Sequence, residues 1–258
     1  MRNEKNIVFK LPDSLKEGAT FSFCPGCDHG LAIRIIAELL DEMNLREKTI
    51  AVASVGCSVM LYRWINTDCV ESPHGRALAV ATGIKRTNKD KFVFTYQGDG
   101  DFASIGLAES MHAALRSEKV TAICINNTTY GMTGGQGGPT TIMGQVTTTS
   151  QDGRNVELHG YPIKIAEQIA LCEGTIFSAR GSLDSIDNIK KTKKLIKKAF
   201  EIQQKGLGFS FVEILSTCPT NWRMTPQESH ERVRSELMPI YPLGIYKSEE
   251  ERGKRKEE

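Results

Sequence analysis

Two polar segments of the chain contain residue types that bind divalent metal ions. Gly98-Asp99-Gly100-Asp101 follows an apolar run, and Asn126-Asn127 ends a second apolar run about 27 residues later. A carboxylate and a carboxamide offer the oxygen ligands that Mg²⁺ prefers, and the ion usually completes its shell with waters and phosphate oxygens. Asp99, the amide oxygen of Asn127 and the carbonyl of Thr129 would leave coordination positions open for a diphosphate group.

The same segments are also compatible with two ordinary turns between a strand and a helix. Asp101 would then be the N-cap of a helix that starts near Ala103. Gly98 and Gly100 fit both interpretations, because a residue without a Cβ permits a tight turn and also lets the backbone approach a ligand. The paired asparagines at this distance favour the metal site.

Four of the seven cysteines have positions that suggest metal or redox chemistry. Cys24-Pro25-Gly26-Cys27 is a CxxC motif, which occurs in zinc half-sites, dithiol redox pairs and iron–sulfur sites. No convincing strand precedes it, as a thioredoxin-type pair would require, and no second CxxC accompanies it, as a zinc site often shows. Cys57 and Cys218 each follow a predicted strand, so both could lie at the same edge of the sheet as Asp99.

The other three cysteines have ordinary surroundings. Cys124 lies inside an apolar strand, Cys172 ends a helix, and Cys69 lies in a polar turn. We expect these to be core or surface thiols.

One histidine and two aromatic residues are further candidates for a binding site. His74 precedes a predicted helix, which places an imidazole and a helix amino terminus near a possible anion. Arg76 could contribute there or form a surface ion pair. Tyr130 and Trp222 could line a pocket or pack beneath loops.

Alternating apolar patterns predict the elements that position these residues. Strands are predicted at Thr49–Ala53, Lys91–Tyr96, Val120–Asn126, Gly174–Ala179 and Phe209–Leu215, and helices at Leu31–Met43, Arg76–Lys85, Ala103–Arg116, Ile163–Leu171 and Ile186–Gln204. Strands that alternate with helices indicate an α/β fold, a mainly parallel sheet with helices on both faces. Ligands of such sheets bind at the carboxyl ends of the strands, where Asp99 and Asn127 lie. Two long segments, Tyr130–Arg154 and Ser216–Tyr241, interrupt the pattern, and long loops are often functional.

The spacing of Gly98-Asp99-Gly100 and Asn126-Asn127 within a helix-then-strand pattern resembles the thiamine-diphosphate-binding motif. Tyr-Gly-Met-Thr-Gly-Gly-Gln at 130–136 and Pro-Thr-Thr at 139–141 resemble the β subunit of the 2-oxoacid:ferredoxin oxidoreductases, of the 2-oxoglutarate or 2-ketoisovalerate type. This likeness runs from Phe23 to about Leu243.

The resemblance implies a thiamine-diphosphate-binding fold with two metal sites. Mg²⁺ would be held by Asp99, Asn127 and the Thr129 carbonyl. A [4Fe–4S] cluster would be held by Cys24, Cys27, Cys57 and Cys218. Asp28 stands where members of the family often have glycine, without changing a ligand. The implied cofactor-binding residues are Gly56, Cys57, Ser58, His74, Gly98, Asp99, Gly100, Asp101, Asn127, Thr129, Gly131, Met132 and Thr133, and His74 is the candidate catalytic residue.

The resemblance further implies coenzyme A-dependent oxidative decarboxylation of a 2-oxoacid to acyl-CoA and CO₂, with electrons passed to ferredoxin. An α subunit would supply the pyrimidine-binding domain, together with a γ subunit and in some assemblies a ferredoxin-like δ subunit. The apolar Val59, Met60 and Leu61 would suit a branched substrate such as 3-methyl-2-oxobutanoate. Arg63 or a lysine of a partner chain could instead bind the distal carboxylate of 2-oxoglutarate, so both substrates remain open.

Two other functions stay open. A non-redox thiamine-diphosphate decarboxylase or carboligase would use Asp99 and Asn127 but none of the four cysteines. A zinc-stapled binding module would use Cys24 and Cys27 and leave Asp99 idle.

The composition argues against two classes of partner. The 33 basic and 31 acidic side chains nearly cancel, giving a net charge of +2, so the electrostatic footprint of a nucleic-acid-binding protein is missing. No segment approaches the roughly 18 to 20 apolar residues that span a bilayer, and Met1–Lys10 is polar. We expect a cytoplasmic protein that forms one thiamine-diphosphate-binding domain over 1–258, with a solvated polar tail at about 247–258.

Overall fold

A computed structural model describes residues 10–249. Within this range nine β-strands, numbered in chain order, are Thr49–Ala53 (β1), Asp68–Glu71 (β2), Phe92–Gly98 (β3), Thr121–Asn126 (β4), Thr129–Tyr130 (β5), Gln136–Gly137 (β6), Thr175–Ser182 (β7), Phe209–Leu215 (β8) and Gly244–Lys247 (β9). The polar amino terminus before Lys10 and most of the predicted tail lie outside the described residues.

Ten α-helices between residues 10 and 249 surround these strands. They are His29–Glu42 (α1), Leu61–Trp64 (α2), Ala77–Thr87 (α3), Leu107–Leu115 (α4), Val156–His159 (α5), Ile165–Leu171 (α6), Ile186–Gln204 (α7), Pro219–Trp222 (α8), Pro226–Arg232 (α9) and Met238–Ile240 (α10). Short 3₁₀ segments occur at Arg46–Lys48 and Cys57–Met60, and π-helical turns at Asp101–Ile105 and Val233–Leu237. None of the helices between residues 10 and 249 is long and apolar enough to cross a membrane.

Seven strands form one sheet in the order β2-β1-β3-β4-β8-β7-β9, and all neighbours are parallel except β9. Side chains of successive residues in a strand point to opposite faces. In β3, Phe92 and Phe94 accordingly pack with α1 and α7, whereas Val93 packs with α3, α4 and α6. The sheet is therefore buried on both faces, which confirms the predicted α/β architecture.

Four neighbouring strands deliver the chemically interesting residues to one edge of this sheet. β1, β3, β4 and β8 lie side by side and run parallel. Cys57 follows β1, Asp99 follows β3, Asn127 follows β4, and Cys218 follows β8. The loops that carry these residues therefore meet at the carboxyl ends of the strands, as the sequence predicted.

The structure corrects three local predictions. The helix predicted at Ala103–Arg116 is instead a π-helical turn at Asp101–Ile105 followed by α4. The cause is a close backbone approach, since a Cβ at Gly106 would lie 2.4 Å from the carbonyl oxygen of Gly75. Asp101 is not a helix N-cap, and its carboxylate binds elsewhere. Cys69 lies in edge strand β2, paired with Ala51, and not in a turn.

Candidate functional site

Asp99 is a buried carboxylate at the end of β3. It is 2% exposed, and the hydroxyl of Thr140 donates a hydrogen bond to its Oδ2. Burial raises its pKa from 3.8 to about 7, against the lowering effect of its hydrogen bonds, because a charged carboxylate is poorly solvated there. A divalent cation beside this oxygen would compensate the desolvation, so the donor chemistry fits Mg²⁺.

Asn127 lies in a tight turn directly after β4. Its Oδ1 accepts a hydrogen bond from the Thr129 amide at 3.1 Å. Thr128, between them, has a φ of 60°, a left-handed conformation that is rare for a β-branched residue. The carbonyl of Thr128 is fixed in place by donors from Thr141 (2.6 Å) and Gln145 (3.2 Å). This strained turn presents the amide of Asn127 and the backbone of Thr129 next to Asp99.

A network of buried polar side chains holds this turn in place. The sequence analysis did not predict it. Asn126 Oδ1 accepts from the Thr128 amide at 3.0 Å, and Asn126 Nδ2 donates to Glu213 at 2.7 Å. Glu213 also accepts from Arg180 Nε at 2.8 Å, and both charged side chains are fully buried. Their opposite charges face each other in the register of β7 and β8, a signal visible only once the strands are paired.

Asp101 organises the loop that carries His74. The Asp101 carboxylate accepts hydrogen bonds from Ser54 Oγ (2.8 Å), the Gly75 amide (2.6 Å) and Gln97 Nε2 (2.6 Å), and from His74 Nδ1. Because the carboxylate is the acceptor, the His74 proton is held on Nδ1, and Nε2 is the ring nitrogen that remains as an acceptor. Asp101 is thus a positioning group, which corrects its interpretation as a helix cap.

These residues surround a cavity of about 110 Å³. Every residue that the sequence analysis assigned to cofactor binding lines it, and His29, Val55 and Tyr130 complete the wall. Gly100 is required beside Tyr130, since a Cβ there would lie 2.2 Å from the tyrosine ring. His29 donates to or accepts from the Tyr96 hydroxyl at 2.8 Å, and burial lowers its pKa to about 4, so it is neutral.

A larger concavity of about 860 Å³ lies at the opposite edge of the sheet, where β3 begins at Phe92. It contains none of the candidate residues. We place the functional site in the smaller cavity, because loops at the carboxyl ends of parallel strands are where polar groups converge on a ligand.

Of the four candidate thiols, Cys57 lines the small cavity and Cys218 lies close to Cys57 beside it. Gly131 marks the meeting point, since a Cβ added to it would contact Cys218 Sγ at 3.4 Å, Asn127 Nδ2 at 3.4 Å and Cys57 Sγ at 3.6 Å. Burial raises the pKa of Cys57 to about 11 and of Cys27 to about 12, and it also raises the pKa of Cys218. The charge of Cys218 raises the pKa of both Cys57 and Cys27 further. A positively charged metal centre would reverse this effect by stabilising the thiolates.

The arrangement of the thiols bears on the kind of metal centre. Among residues 10–249, no three His, Cys, Asp or Glu side chains are grouped closely enough to hold a single metal ion. Cys24 is exposed, Cys218 is buried, and Cys218 Sγ lies 3.2 Å from Asn221 Nδ2. Four cysteine thiolates are the usual ligand set of a [4Fe–4S] cluster, and they are also one of the ligand sets of zinc.

The other candidates have structural positions. Cys124 and Cys172 are buried in the core, as predicted. Trp222 does not line the cavity and packs in a cluster with Leu215 and Tyr241. Arg76 forms a surface ion pair with Glu109.

The loop after Cys57 does not line the cavity with apolar side chains. Leu61 is fully buried in the core, and Met60 packs against the same cluster. The expectation that Leu61 contacts a branched substrate is therefore wrong. Arg63 is exposed, and its guanidinium lies 6.0 Å from the centre of the Tyr62 ring.

Comparisons with known proteins show the family to which the chain is related. Residues 54–214 match the family model of the thiamine pyrophosphate enzymes, C-terminal TPP-binding domain. The ketoisovalerate oxidoreductase subunit VorA of Methanothermobacter marburgensis is 40% identical over 245 residues, covering 92% of this chain and 51% of VorA. The 2-oxoglutarate synthase subunit KorB of Archaeoglobus fulgidus is 35% identical over 237 residues, covering 88% of this chain and 84% of KorB. The chain thus spans about half the length of the VorA relatives and most of KorB.

A solved structure shows the same fold. The 2-oxoglutarate:ferredoxin oxidoreductase from Magnetococcus marinus, with 2-oxoglutarate, coenzyme A and succinyl-CoA bound, superimposes with a TM-score of 0.76 at 25% sequence identity. The match covers 93% of this chain and 85% of that chain.

Proposed function

The chain belongs to the thiamine pyrophosphate-binding subunits of the 2-oxoacid oxidoreductase family, and we propose that it is the β subunit of a 2-oxoacid:ferredoxin oxidoreductase. The reaction is the coenzyme A-dependent oxidative decarboxylation of a 2-oxoacid to acyl-CoA and CO₂, with ferredoxin as electron acceptor. Residues 1–258 act as one diphosphate-binding domain in the cytoplasm.

One observation supports this proposal: two of the candidate thiols and the side chain of Asn127 meet at Gly131. Cys57 Sγ, Cys218 Sγ and Asn127 Nδ2 all lie within 3.6 Å of the position of an added Cβ there. A non-redox decarboxylase or carboligase would need the turn but would give the thiols no role. A zinc-stapled binding module would give Asp99 and Asn127 no role.

The chain's own residues would hold two inorganic groups and the cofactor. Asp99, Asn127 and the Thr129 carbonyl supply oxygen ligands for Mg²⁺, and Gly98 and Gly100 leave room for the diphosphate. The thiolates of Cys24, Cys27, Cys57 and Cys218 hold a [4Fe–4S] cluster. When bound, thiamine diphosphate supplies carbanion stabilisation, and the cluster supplies one-electron transfer.

His74 is the proposed catalytic residue. Its Nδ1 proton is held by Asp101, so the ring orientation is fixed and Nε2 is available to accept a proton. Tyr130 packs edge-on to the imidazole, with ring centres 6.5 Å apart.

The remaining parts of the reaction require partner chains. We propose an α subunit that supplies the pyrimidine-binding domain, a γ subunit, and a ferredoxin-like δ subunit in some assemblies. The substrate is 3-methyl-2-oxobutanoate or 2-oxoglutarate. The name of the VorA relative contains ketoisovalerate, and the name of the KorB relative contains 2-oxoglutarate.

The test is reduction of a viologen dye by the anaerobically assembled complex. The expected result is dye reduction that requires coenzyme A and is faster with one of the two named 2-oxoacids than with pyruvate. Decarboxylation that proceeds without an electron acceptor would favour the non-redox decarboxylase. A wide advantage for pyruvate in kcat/KM would refute the substrate class but not the reaction type.

A further inference from the structure

The side chain of Asp28, directly after Cys27, does not cap the helix that follows it. Asp28 is the N-cap residue of α1, yet its carboxylate accepts no hydrogen bond from the first turn of that helix. An aspartate at an N-cap normally does so. Asp28 is 5% exposed, and a buried carboxylate is costly unless it is hydrogen-bonded. Its partners must therefore come from elsewhere in the fold.

Those partners lie on two distant segments. Asp28 Oδ2 accepts from the backbone amide of Thr217 at 3.0 Å, and Oδ1 accepts from His230 Nε2 at 3.1 Å. Thr217 immediately precedes Cys218, and His230 belongs to α9. The carboxylate therefore links the segment that carries Cys27 to the segment that carries Cys218.

A second hydrogen bond joins the same two segments. The Thr217 hydroxyl donates to the carbonyl oxygen of Gly26, between the two cysteines of the CxxC motif, at 2.5 Å. Gly26 has a φ of 79°, and a Cβ on it would lie 2.6 Å from Cβ of Pro226, the first residue of α9. The CxxC loop is thus hydrogen-bonded to the Cys218 turn and packs closely against the start of α9 at Gly26. None of these contacts involves Cys57 or Asp99.

We propose that Asp28 is a positioning residue for the cysteine site, which fixes the CxxC loop against the Cys218 turn before a cluster is inserted. The proposal rests on the four-cysteine ligation described under the proposed function. With Asp28 in place, Cys24, Cys27 and Cys218 keep their relative positions in the protein without cluster. Cluster insertion then requires a smaller loss of conformational entropy in the loops that carry these cysteines. The carboxylate also places a negative charge beside the thiolates, which disfavours the more negative reduced state of the cluster.

The test compares Asp28→Ala and Asp28→Asn with Asp41→Asn in the full chain, purified anaerobically with its cluster. Asp41, in the last turns of the same helix, is a matched control, because its carboxylate also joins two segments. It accepts from the amides of Asp13 (2.6 Å) and Ser14 (3.0 Å), which lie outside the segments that carry the cysteines. Iron and sulfide retained under a chelator, and the midpoint potential from an EPR-monitored titration, are the two measurements.

Asp28→Ala is expected to lower the affinity for the cluster by about tenfold or more, as removal of outer hydrogen-bond partners does at other metal sites. Asp28→Asn keeps a side-chain acceptor but loses the charge, so its midpoint potential should rise above that of the parent. Asp41→Asn should match the parent in both measurements. If Asp28→Ala does not fold, the potential of Asp28→Asn carries the test.

Two results would overturn the inference: parent-like retention and potential in both Asp28 variants, or equal loss of iron from Asp41→Asn and Asp28→Ala. A parent protein without iron would overturn the four-cysteine ligation itself. That failure is separate, because it is seen before any variant is compared.

Discussion

Replacement of Asp99 by asparagine should stabilise the protein without cofactor at high pH while it abolishes metal binding. The folded state raises the pKa of Asp99 from 3.8 to about 7, so between these values the folded protein holds a proton that the unfolded chain releases. Stability contributed by this proton is present below pH 4 and is lost as the pH rises to about 7. At about 1.4 kcal/mol per pKa unit, the full loss is about 4 kcal/mol.

Asparagine is neutral at every pH, so its burial does not make the free energy of unfolding depend on pH. Urea unfolding of the cofactor-free proteins measures this difference. Between pH 5 and pH 8 the free energy of unfolding of the parent should fall by about 3 kcal/mol more than that of Asp99→Asn. Mg²⁺ with thiamine diphosphate, added at one hundred times the Kd, should raise the free energy of unfolding of the parent by about 2.7 kcal/mol. The same addition should leave the free energy of unfolding of Asp99→Asn unchanged.

Asp101→Asn is the matched control for a buried carboxylate in the same loop. It replaces a carboxylate that accepts from Ser54, Gly75 and Gln97, so an amide group there opposes existing donors. This variant should be destabilised at both pH values. Equal pH dependence of the parent and Asp99→Asn would refute the reasoning, as would cofactor-induced stabilisation of Asp99→Asn.

Three further predictions follow from the site. Asn126→Ala removes the acceptor of the Thr128 amide and should weaken Mg²⁺ binding about tenfold in calorimetry, with an unchanged cluster spectrum. An unchanged Kd for Mg²⁺ would show that the buried polar network does not contribute to metal binding. Cys218→Ala should lose the EPR signal of the reduced cluster whereas Cys124→Ala and Cys172→Ala keep it, and a preserved signal in the Cys218 variant would break the four-ligand model. Gly131→Ala should fold normally, since its Cβ makes only contacts of 3.4 Å or more, but should lose cluster or cofactor because it fills their meeting point; full loading of both would contradict that placement.

The sequence predicted elements well where the apolar pattern is strong and local. β1, β8 and α7 were predicted to the residue, because their buried faces fix the period. Edge strands β2 and β9 were missed, since exposed strands lack a continuous apolar run. The break in the helix near Asp101 arises from contact with the distant Gly75, which no local pattern reports.

The candidate site divides in the same way. Asp99, Asn127, Cys57 and Cys218 each follow a predicted strand, and this placed them at one edge of the sheet, because the carboxyl ends of parallel strands meet at one edge. The buried pair Arg180–Glu213 and the Asp28–Thr217 contact could not be predicted, since each joins residues far apart in the sequence. Leu61 illustrates a different error. The sequence analysis assigned this apolar residue to a substrate contact, but it belongs to the hydrophobic core.

The central claim is that the diphosphate site and the cysteine site of this chain work as one unit. Its most direct test is EPR of the anaerobic complex before and after addition of a 2-oxoacid with coenzyme A. The account predicts that the signal of a reduced [4Fe–4S] cluster appears with 3-methyl-2-oxobutanoate or 2-oxoglutarate in the parent, and that it does not appear in Asp99→Asn, although dithionite still reduces that variant's cluster. A parent cluster that dithionite reduces but neither substrate does would contradict the account.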